Sequence, residues 1–169
     1  MLVDIYPDLI KILLIIVLLI CSALISGSEV AFFSLSKTDL KKISSSNANN
    51  LKLIALLRSN PRRLLATLLV SNNFINISIV LLLASFGQLF NLVFLPSWLN
   101  FVLEVGFITA LILLFGEILP KVYANRKPIS FSKKMAFPVQ FIDKYLFFFI
   151  TIPMSKMTKF IQDKLVFKK

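Results

Sequence analysis

Three long apolar segments constrain this chain more than any other feature of its sequence. They cover about residues 9–33, 61–87 and 99–120. Each is long enough for a helix to cross the hydrocarbon core of a bilayer, which takes about 20 residues. The chain of 169 residues is 57% hydrophobic and contains 17 phenylalanines. We therefore expect an all-α membrane protein with three transmembrane helices.

The positions of the basic residues predict how these helices are oriented. Residues 37–63 and the residues from Lys121 onward are rich in lysine and arginine, whereas residues 64–120 contain neither. Because cytoplasmic loops carry the excess of basic residues, we expect a multi-pass protein with its N-terminus outside and its C-terminus in the cytoplasm. The net charge of +11 would then face anionic membrane lipids, and no nucleic acid is expected as a partner.

Residues 36–59 are predicted to form two juxtamembrane helices. Ser36 and Asp39 have the spacing of a capping box, which marks a helix start. The run SSSNANN at 44–50 interrupts this helix, and LKLIALLRS then resumes an amphipathic pattern. Asn60 before Pro61 predicts the start of the second span, because asparagine caps helices and proline suits their first position.

The C-terminal segment, about residues 131–167, predicts a helix that lies in the membrane interface like a belt. Gln140, Asp143 and Lys144 recur on one side at helical spacing, and three phenylalanines at 147–149 lie on the other, a pattern typical of interfacial helices. A fourth span would instead carry the basic C-terminus outward, against the charge distribution.

The residue types argue against an enzyme. The chain has no histidine, which removes the commonest general base and transition-metal ligand. Its single cysteine, Cys21, lies within the first span and excludes a disulfide framework or a metal–thiolate cluster. We therefore expect no catalytic residues.

The stretch ILLFGEILPK, residues 112–121, places Glu117 inside the third span. Pro120 has no N–H to donate to the carbonyl oxygen of Gly116, so we expect this carbonyl to lie free beside the carboxylate. Oxygen ligands of this kind suit a hard cation. The alternative is a kinked helix end in which Glu117 pairs with Lys121.

The other two spans also carry polar clusters. Asn72 and Asn76 are four residues apart and share one helix face, either to hydrogen-bond between helices or to converge with Glu117 on an ion. In the first span Ser26 and Ser28 precede Glu29, which is a candidate for an ion ligand or for a salt bridge to Arg62, Arg63 or Lys121. By position along the chain we expect all three clusters in the cytoplasmic half of the membrane.

Three motifs together resemble the transmembrane domain of the CNNM/CorC family of magnesium transporters: SGSEVAFFSLS after the first span, LLVSNNFINI in the second and GEILPK at the end of the third. The resemblance implies a homodimer with three spans per subunit and a Mg²⁺ site open to the cytoplasm. The ligands implied by the resemblance are Ser26 or Ser28, Asn72, Asn76, Glu117 and the Gly116 carbonyl.

The resemblance also implies a location in the bacterial inner membrane, further domains and a transport reaction. Family members usually continue into a cytosolic, nucleotide-binding pair of CBS domains. This pair does not fit in the present chain, so we expect the chain to be a truncated piece. The transport reaction expected is Mg²⁺ efflux with Na⁺ as a candidate coupled ion. The alternative function is a non-transporting membrane assembly or regulatory module, for example a gliding-motility-associated member of the family.

Overall fold

The computed structural model describes residues 5–44, 49–85 and 96–146, and these ranges are almost entirely helical and contain no strand. The elements in chain order are α1 (Ile5–Phe33), α2 (Lys37–Ser44), α3 (Asn49–Ser59), α4 (Pro61–Ala84), α5 (Ser97–Leu111), π1 (Ile112–Ile118), α6 (Leu119–Arg126), α7 (Pro128–Phe141) and π2 (Ile142–Leu146). The segments π1 and π2 are π-helical, with wider turns than an α-helix.

Three helical stretches are long and apolar enough to span a membrane: Leu9–Phe33, Pro61–Ala84 and Ser97–Arg126. The third is one continuous rod built from α5, π1 and α6, and it continues beyond the predicted end at residue 120. The predicted end of the second span, up to residue 87, lies outside the described residues. The prediction of an all-α, multi-pass membrane protein with three spans is confirmed.

The predicted helix starts are present and show the expected local hydrogen bonds. Asp39 accepts from the backbone N–H of Ser36, and Ser36 Oγ accepts from the N–H of Asp39, both at 3.1 Å. This reciprocal pair is the capping box that starts α2. At the start of α4, Asn60 Oδ1 accepts from the N–H of Arg63 at 3.1 Å, and Pro61 occupies the first helical position.

Two separate apolar clusters hold the three spans together. The first joins α1, α3, α4 and α7 around Phe32, Ile54 and Leu68, which are almost completely buried. The second joins α1, α4 and the third span around Ile79 and Ile108. Between these clusters, α1 and α4 each contain a polar stretch, and these stretches form the candidate site described below.

Helix α7 packs against α1 and α3 and buries one side of its surface, including Met135 and Val139. It does not add a fourth candidate span within the described ranges. Residues 131–146 of the predicted belt helix are helical, and residues 147–167 lie outside the described residues. The position of α7 in the membrane interface stays a prediction.

Candidate ion-binding site

Four polar side chains from the three spans form one hydrogen-bonded network. Ser22 Oγ on α1 lies 3.1 Å from Asn72 Oδ1 and 2.7 Å from Asn76 Oδ1 on α4. The side-chain nitrogens of Asn72 and Asn76 in turn lie 3.3 and 3.0 Å from Glu117 Oε1 in π1. Because a hydroxyl carries one proton, Ser22 shares it between the two amide oxygens. The network therefore connects every span through polar groups.

The network lies within the apolar part of the bundle. Asn72 is 8% exposed and lies midway along α4. The polar cluster of the second span is therefore near the centre of the helix and about equally far from its basic N-terminal end and its other end. Polar side chains at such a depth are costly unless they have partners. Each amide satisfies this requirement by accepting from Ser22 and donating to Glu117.

Glu117 and Gly116 lie in π1, and the π-helical register changes which carbonyl oxygen lies opposite the nitrogen of Pro120. The N–H of Leu119 donates to the carbonyl of Leu114, five residues back. If this register continues, the nitrogen of Pro120 faces the carbonyl of Phe115, whereas an α-helical register would place it opposite Gly116. Pro120 lies in the first turn of α6, but this turn continues the rod of π1, so Pro120 supplies no N–H to a carbonyl of the preceding turn.

Gly116 contributes in another way, by allowing α1 to approach π1 closely. A Cβ atom at Gly116 would lie 3.0 Å from Ser22 Oγ, tighter than most van der Waals contacts, so a side chain here would push against the network. Gly116 is buried and adjoins Glu117 in sequence. Its carbonyl as an ion ligand stays a prediction.

The two serines of the SGSE motif differ in their surroundings. Ser28 is buried, and its hydroxyl donates to the carbonyl of Leu24 at 2.6 Å. Ser26 is also buried, at 1% exposure, but its Oγ has no hydrogen-bond partner among the described residues. A buried hydroxyl without a partner is unusual and calls for one. Ser26 is therefore the better placed of the two to bind a ligand that the described residues do not supply.

Glu29 forms a salt bridge with Lys121, with Oε2 and Nζ 3.2 Å apart, which confirms one of the alternatives predicted for it. The prediction that Glu117 might instead pair with Lys121 is wrong for the described part of the chain, because Glu117 binds the asparagines and Lys121 binds Glu29. Glu29 lies seven residues beyond Ser22 on α1, about 10 Å along the helix axis. It is therefore separate from the network.

Sequence reasoning missed Ser22, although a signal for it exists. Ser22, Ser26 and Glu29 recur at positions i, i+4 and i+7, which places them on one face of α1. This polar stripe begins one turn before the SGSE motif. It could have indicated that the first span presents oxygen atoms to its neighbours over several turns.

The site offers one carboxylate, two amides and at least one hydroxyl, which are oxygen ligands of the kind that Mg²⁺ and Na⁺ accept. No group of three His, Cys, Asp or Glu residues that could hold a metal occurs in the described ranges, so the negative charge comes from Glu117 alone. The amide nitrogens of Asn72 and Asn76, and not their oxygens, face this carboxylate. Both amides would need to turn over to present their oxygens to a cation beside Glu117 Oε1.

The fold and the site define a small helical membrane domain with a polar, oxygen-lined centre, and comparison with known proteins agrees with this class. The family model described as the cyclin M (CNNM) transmembrane N-terminal domain matches residues 13–167. The chain therefore belongs to the CNNM family.

Curated relatives come from distant organisms. The chain is 30% identical over 130 residues to the UPF0053 protein sll1254 of Synechocystis, covering 76% of this chain and 36% of that protein. It is 31% identical over 125 residues to metal transporter cnnm-4 of Caenorhabditis elegans, covering 71% and 26%. It is 29% identical over 121 residues to the UPF0053 inner membrane protein YfjD of Escherichia coli, and this match covers 72% of this chain and 26% of that protein. The chain thus spans about a quarter to a third of the length of these relatives.

Proposed function

We propose that this chain binds Mg²⁺ within the membrane and transports it, with efflux as the direction and Na⁺ as the coupled ion. The observation that carries the proposal is the network of Ser22, Asn72, Asn76 and Glu117, which brings oxygen-bearing side chains from all three spans together at one carboxylate. On binding, the two amides turn over so that their oxygens join the carboxylate. We assign transport and no catalysis. The proposed ligands are Ser26 or Ser28, Asn72, Asn76, Glu117 and the Gly116 carbonyl.

Two further observations support metal transport. One relative is named a metal transporter, and family membership makes the same broad activity a reasonable proposal for this chain. The buried, unpartnered hydroxyl of Ser26 lies one turn from Ser22 and can accept a ligand. Mg²⁺ usually keeps several of its waters, so a site with few protein ligands and one carboxylate is sufficient to bind it.

The second candidate function is a non-transporting assembly or regulatory module. One observation favours it: the two asparagines, Ser22 and Glu117 satisfy one another without an ion, as hydrogen bonds between helices do in many membrane proteins. Under this alternative the network only fixes the packing of the spans. The protein would then bind no Mg²⁺.

Calorimetric titration of the purified chain with Mg²⁺ in detergent separates the two candidates. The transport proposal predicts saturable binding with a stoichiometry of one ion for each three-span chain. The assembly module predicts only the heat of dilution. A titration with Na⁺ under the same conditions tests whether the second ion competes for the site.

We also propose that the protein is a homodimer. The basic segments of each subunit, residues 37–63 and the residues from Lys121 onward, face the cytoplasm. Asn73 is exposed although it lies beside Asn72 in the middle of α4, and a polar side chain at this depth needs a partner outside the single chain. Among soluble oligomers the two-fold dimer is by far the commonest assembly, and we propose the same symmetry here. A detergent-corrected mass of one 19.2 kDa chain would contradict the dimer.

A further inference from the structure

A second group of polar side chains lies at the start of α4, away from the candidate ion site. Arg63 and Asp143 of π2 form a bidentate ion pair, with Nε to Oδ1 at 3.0 Å and Nη2 to Oδ2 at 2.7 Å. Thr67 Oγ1 donates to the same carboxylate at 2.6 Å. These contacts fasten the end of α7 and π2 to the first two turns of α4.

A cavity of about 280 Å³ opens beside this ion pair. We call it the polar cavity, because six of the nine described residues that line it are polar or charged and the other three are leucines of α3 and α4. The polar residues that line it are Ser59, Asn60, Arg63, Gln140, Asp143 and Lys144.

A second cavity of about 330 Å³ adjoins the first and shares Gln140 and Lys144 with it. The rest of its lining is aromatic, from Phe137, Phe141 and Tyr145, so we call it the aromatic cavity. These three side chains follow one another at intervals of four and lie on one exposed strip of α7 and π2. The two cavities together therefore run from charged to apolar surroundings.

The charges around the polar cavity leave one positive charge uncompensated. Asp143 is committed to Arg63, while the exposed Lys144 has no carboxylate partner among the described residues and contacts only the Tyr145 ring, at 5.2 Å. The nearby Arg58 stacks over the Phe33 ring at 4.8 Å, and Arg62 is exposed but lines neither cavity. A singly charged anion would balance the cavity.

We infer that the two cavities form a binding site for one anionic phospholipid. Its phosphodiester group lies in the polar cavity near Lys144 and the outer face of the Arg63 guanidinium, and an acyl chain lies along Phe137 and Phe141 in the aromatic cavity. The site lies where α4 begins with two arginines, a position that suits phospholipid headgroups. Amphipathic lysines and tyrosines are favoured at this boundary.

A bound lipid at this place connects α4 with α7. The headgroup contacts Arg63 of α4 and Lys144 of π2, and the acyl chain covers the aromatic strip that would otherwise be exposed. The lipid thus supplements the Arg63–Asp143 pair in holding α7 against the spans. This role does not depend on ion transport, so it can be tested separately from the proposed function.

Native mass spectrometry of the purified full chain in detergent tests the inference, with phosphatidylglycerol and phosphatidylcholine added separately. We expect one phosphatidylglycerol retained per chain and less phosphatidylcholine. Lys144→Gln should lower retention of phosphatidylglycerol about fivefold, since one basic residue near an anionic headgroup contributes about that much. Lys133→Gln is the matched control: Lys133 is exposed on the same helix but lines neither cavity.

The apolar half of the site has its own variant and control. Phe141→Ala should also lower retention, because it removes half-exposed aromatic surface that the acyl chain covers, whereas Phe101→Ala removes an exposed ring of α5 and should not. Equal retention by the wild type and Lys144→Gln, or equal retention of the two lipids, would overturn the inference. Displacement of phosphatidylglycerol by millimolar inorganic phosphate alone would identify a free-anion site instead and would also overturn it.

Discussion

At the scale of single residues, Ser22 and Glu117 define the two ends of the network. Ser22 is completely buried and supplies the hydrogen bonds to both amide oxygens, and Glu117 accepts from both amide nitrogens. Asn72 and Asn76 lie between them. Each asparagine is thus held in one orientation by the residues on either side of it.

Ser22→Ala should destabilise the protein, because it leaves the oxygens of Asn72 and Asn76 buried without their donor. The loss of a donor to a buried acceptor costs about 1–3 kcal/mol in the free energy of unfolding. Thermal unfolding in detergent measures it. The matched control is Ser78→Ala on α4, because the Ser78 hydroxyl bonds only to the Phe74 carbonyl of its own helix. Equal shifts in the two variants would contradict the account.

Gly116→Ala should likewise destabilise the protein, because its Cβ would meet Ser22 Oγ at 3.0 Å. Overpacking of this kind costs about 1–3 kcal/mol. Gly106→Ala provides a matched control in the same span, since a Cβ there would have no neighbour within 4 Å. Its melting temperature should stay unchanged or rise. A Gly116→Ala variant as stable as Gly106→Ala would show that α1 and π1 do not approach as described.

At the scale of elements, the α-helices followed from the sequence more fully than π1 did. The capping box at Ser36 and the Asn60–Pro61 start are local signals, because the residues that form the hydrogen bonds are within three positions of each other. A π-helical segment has no comparable signature, and Pro120 alone indicated a break in the α-helical pattern. The change of register in π1 therefore could not be read from the sequence.

The candidate site was predictable in its residue types and less so in its contacts. Polar residues in apolar spans need partners, so Asn72 and Asn76 were expected either to hydrogen-bond between helices or to converge with Glu117 on an ion. The structure joins them to Glu117 by hydrogen bonds, and the ion stays a prediction. The Arg63–Asp143 pair joins residues 80 positions apart, and the sequence around either residue does not predict that the other is its partner. Contacts of this range depend on how α7 packs, which only the fold provides.

Two ion pairs between described elements, Arg63–Asp143 and Glu29–Lys121, should differ in their contribution to stability. Asp143→Asn breaks a bidentate pair and weakens a third hydrogen bond from Thr67, and the Asp143 side chain is only 13% exposed, so we expect a loss of about 1–3 kcal/mol. Glu29→Gln breaks a single contact between more exposed side chains, for which about 0–1 kcal/mol is expected. Chemical or thermal unfolding of the two variants side by side tests this order, and the reverse order would contradict it.

At the scale of the whole molecule, each spanning helix has one face that packs against the other helices and one apolar face that is exposed in the isolated chain. Many large apolar side chains of α1, α4 and the third span are exposed in the isolated chain, for example Leu13, Phe74 and Phe115. In a soluble protein such surfaces would cause aggregation, whereas in a bilayer they face acyl chains or a second subunit. The interior in turn holds the polar network between two apolar clusters.

The predicted orientation can be tested by labelling single cysteines in intact cells. Lys52→Cys on α3 and Ser97→Cys at the start of α5 are both exposed positions, and the native Cys21 is replaced by alanine in both variants. Because basic segments stay in the cytoplasm, a membrane-impermeant reagent should label residue 97 from outside and residue 52 only after permeabilisation. Labelling of both positions from outside would contradict the three-span topology.

The central claim, that Glu117 holds a cation, is tested most directly by Mg²⁺ calorimetry on Glu117→Gln. The amide oxygen of glutamine can still accept from Asn72 and Asn76, so the variant should fold, and it removes only the negative charge of the site. The matched control is Glu104→Gln, which neutralises another carboxylate of the third span outside the network. We predict that Glu117→Gln binds Mg²⁺ about tenfold or more weakly than the wild type while Glu104→Gln binds it normally. Unchanged Mg²⁺ affinity in the folded Glu117→Gln protein would contradict the account and leave Glu117 with a structural role.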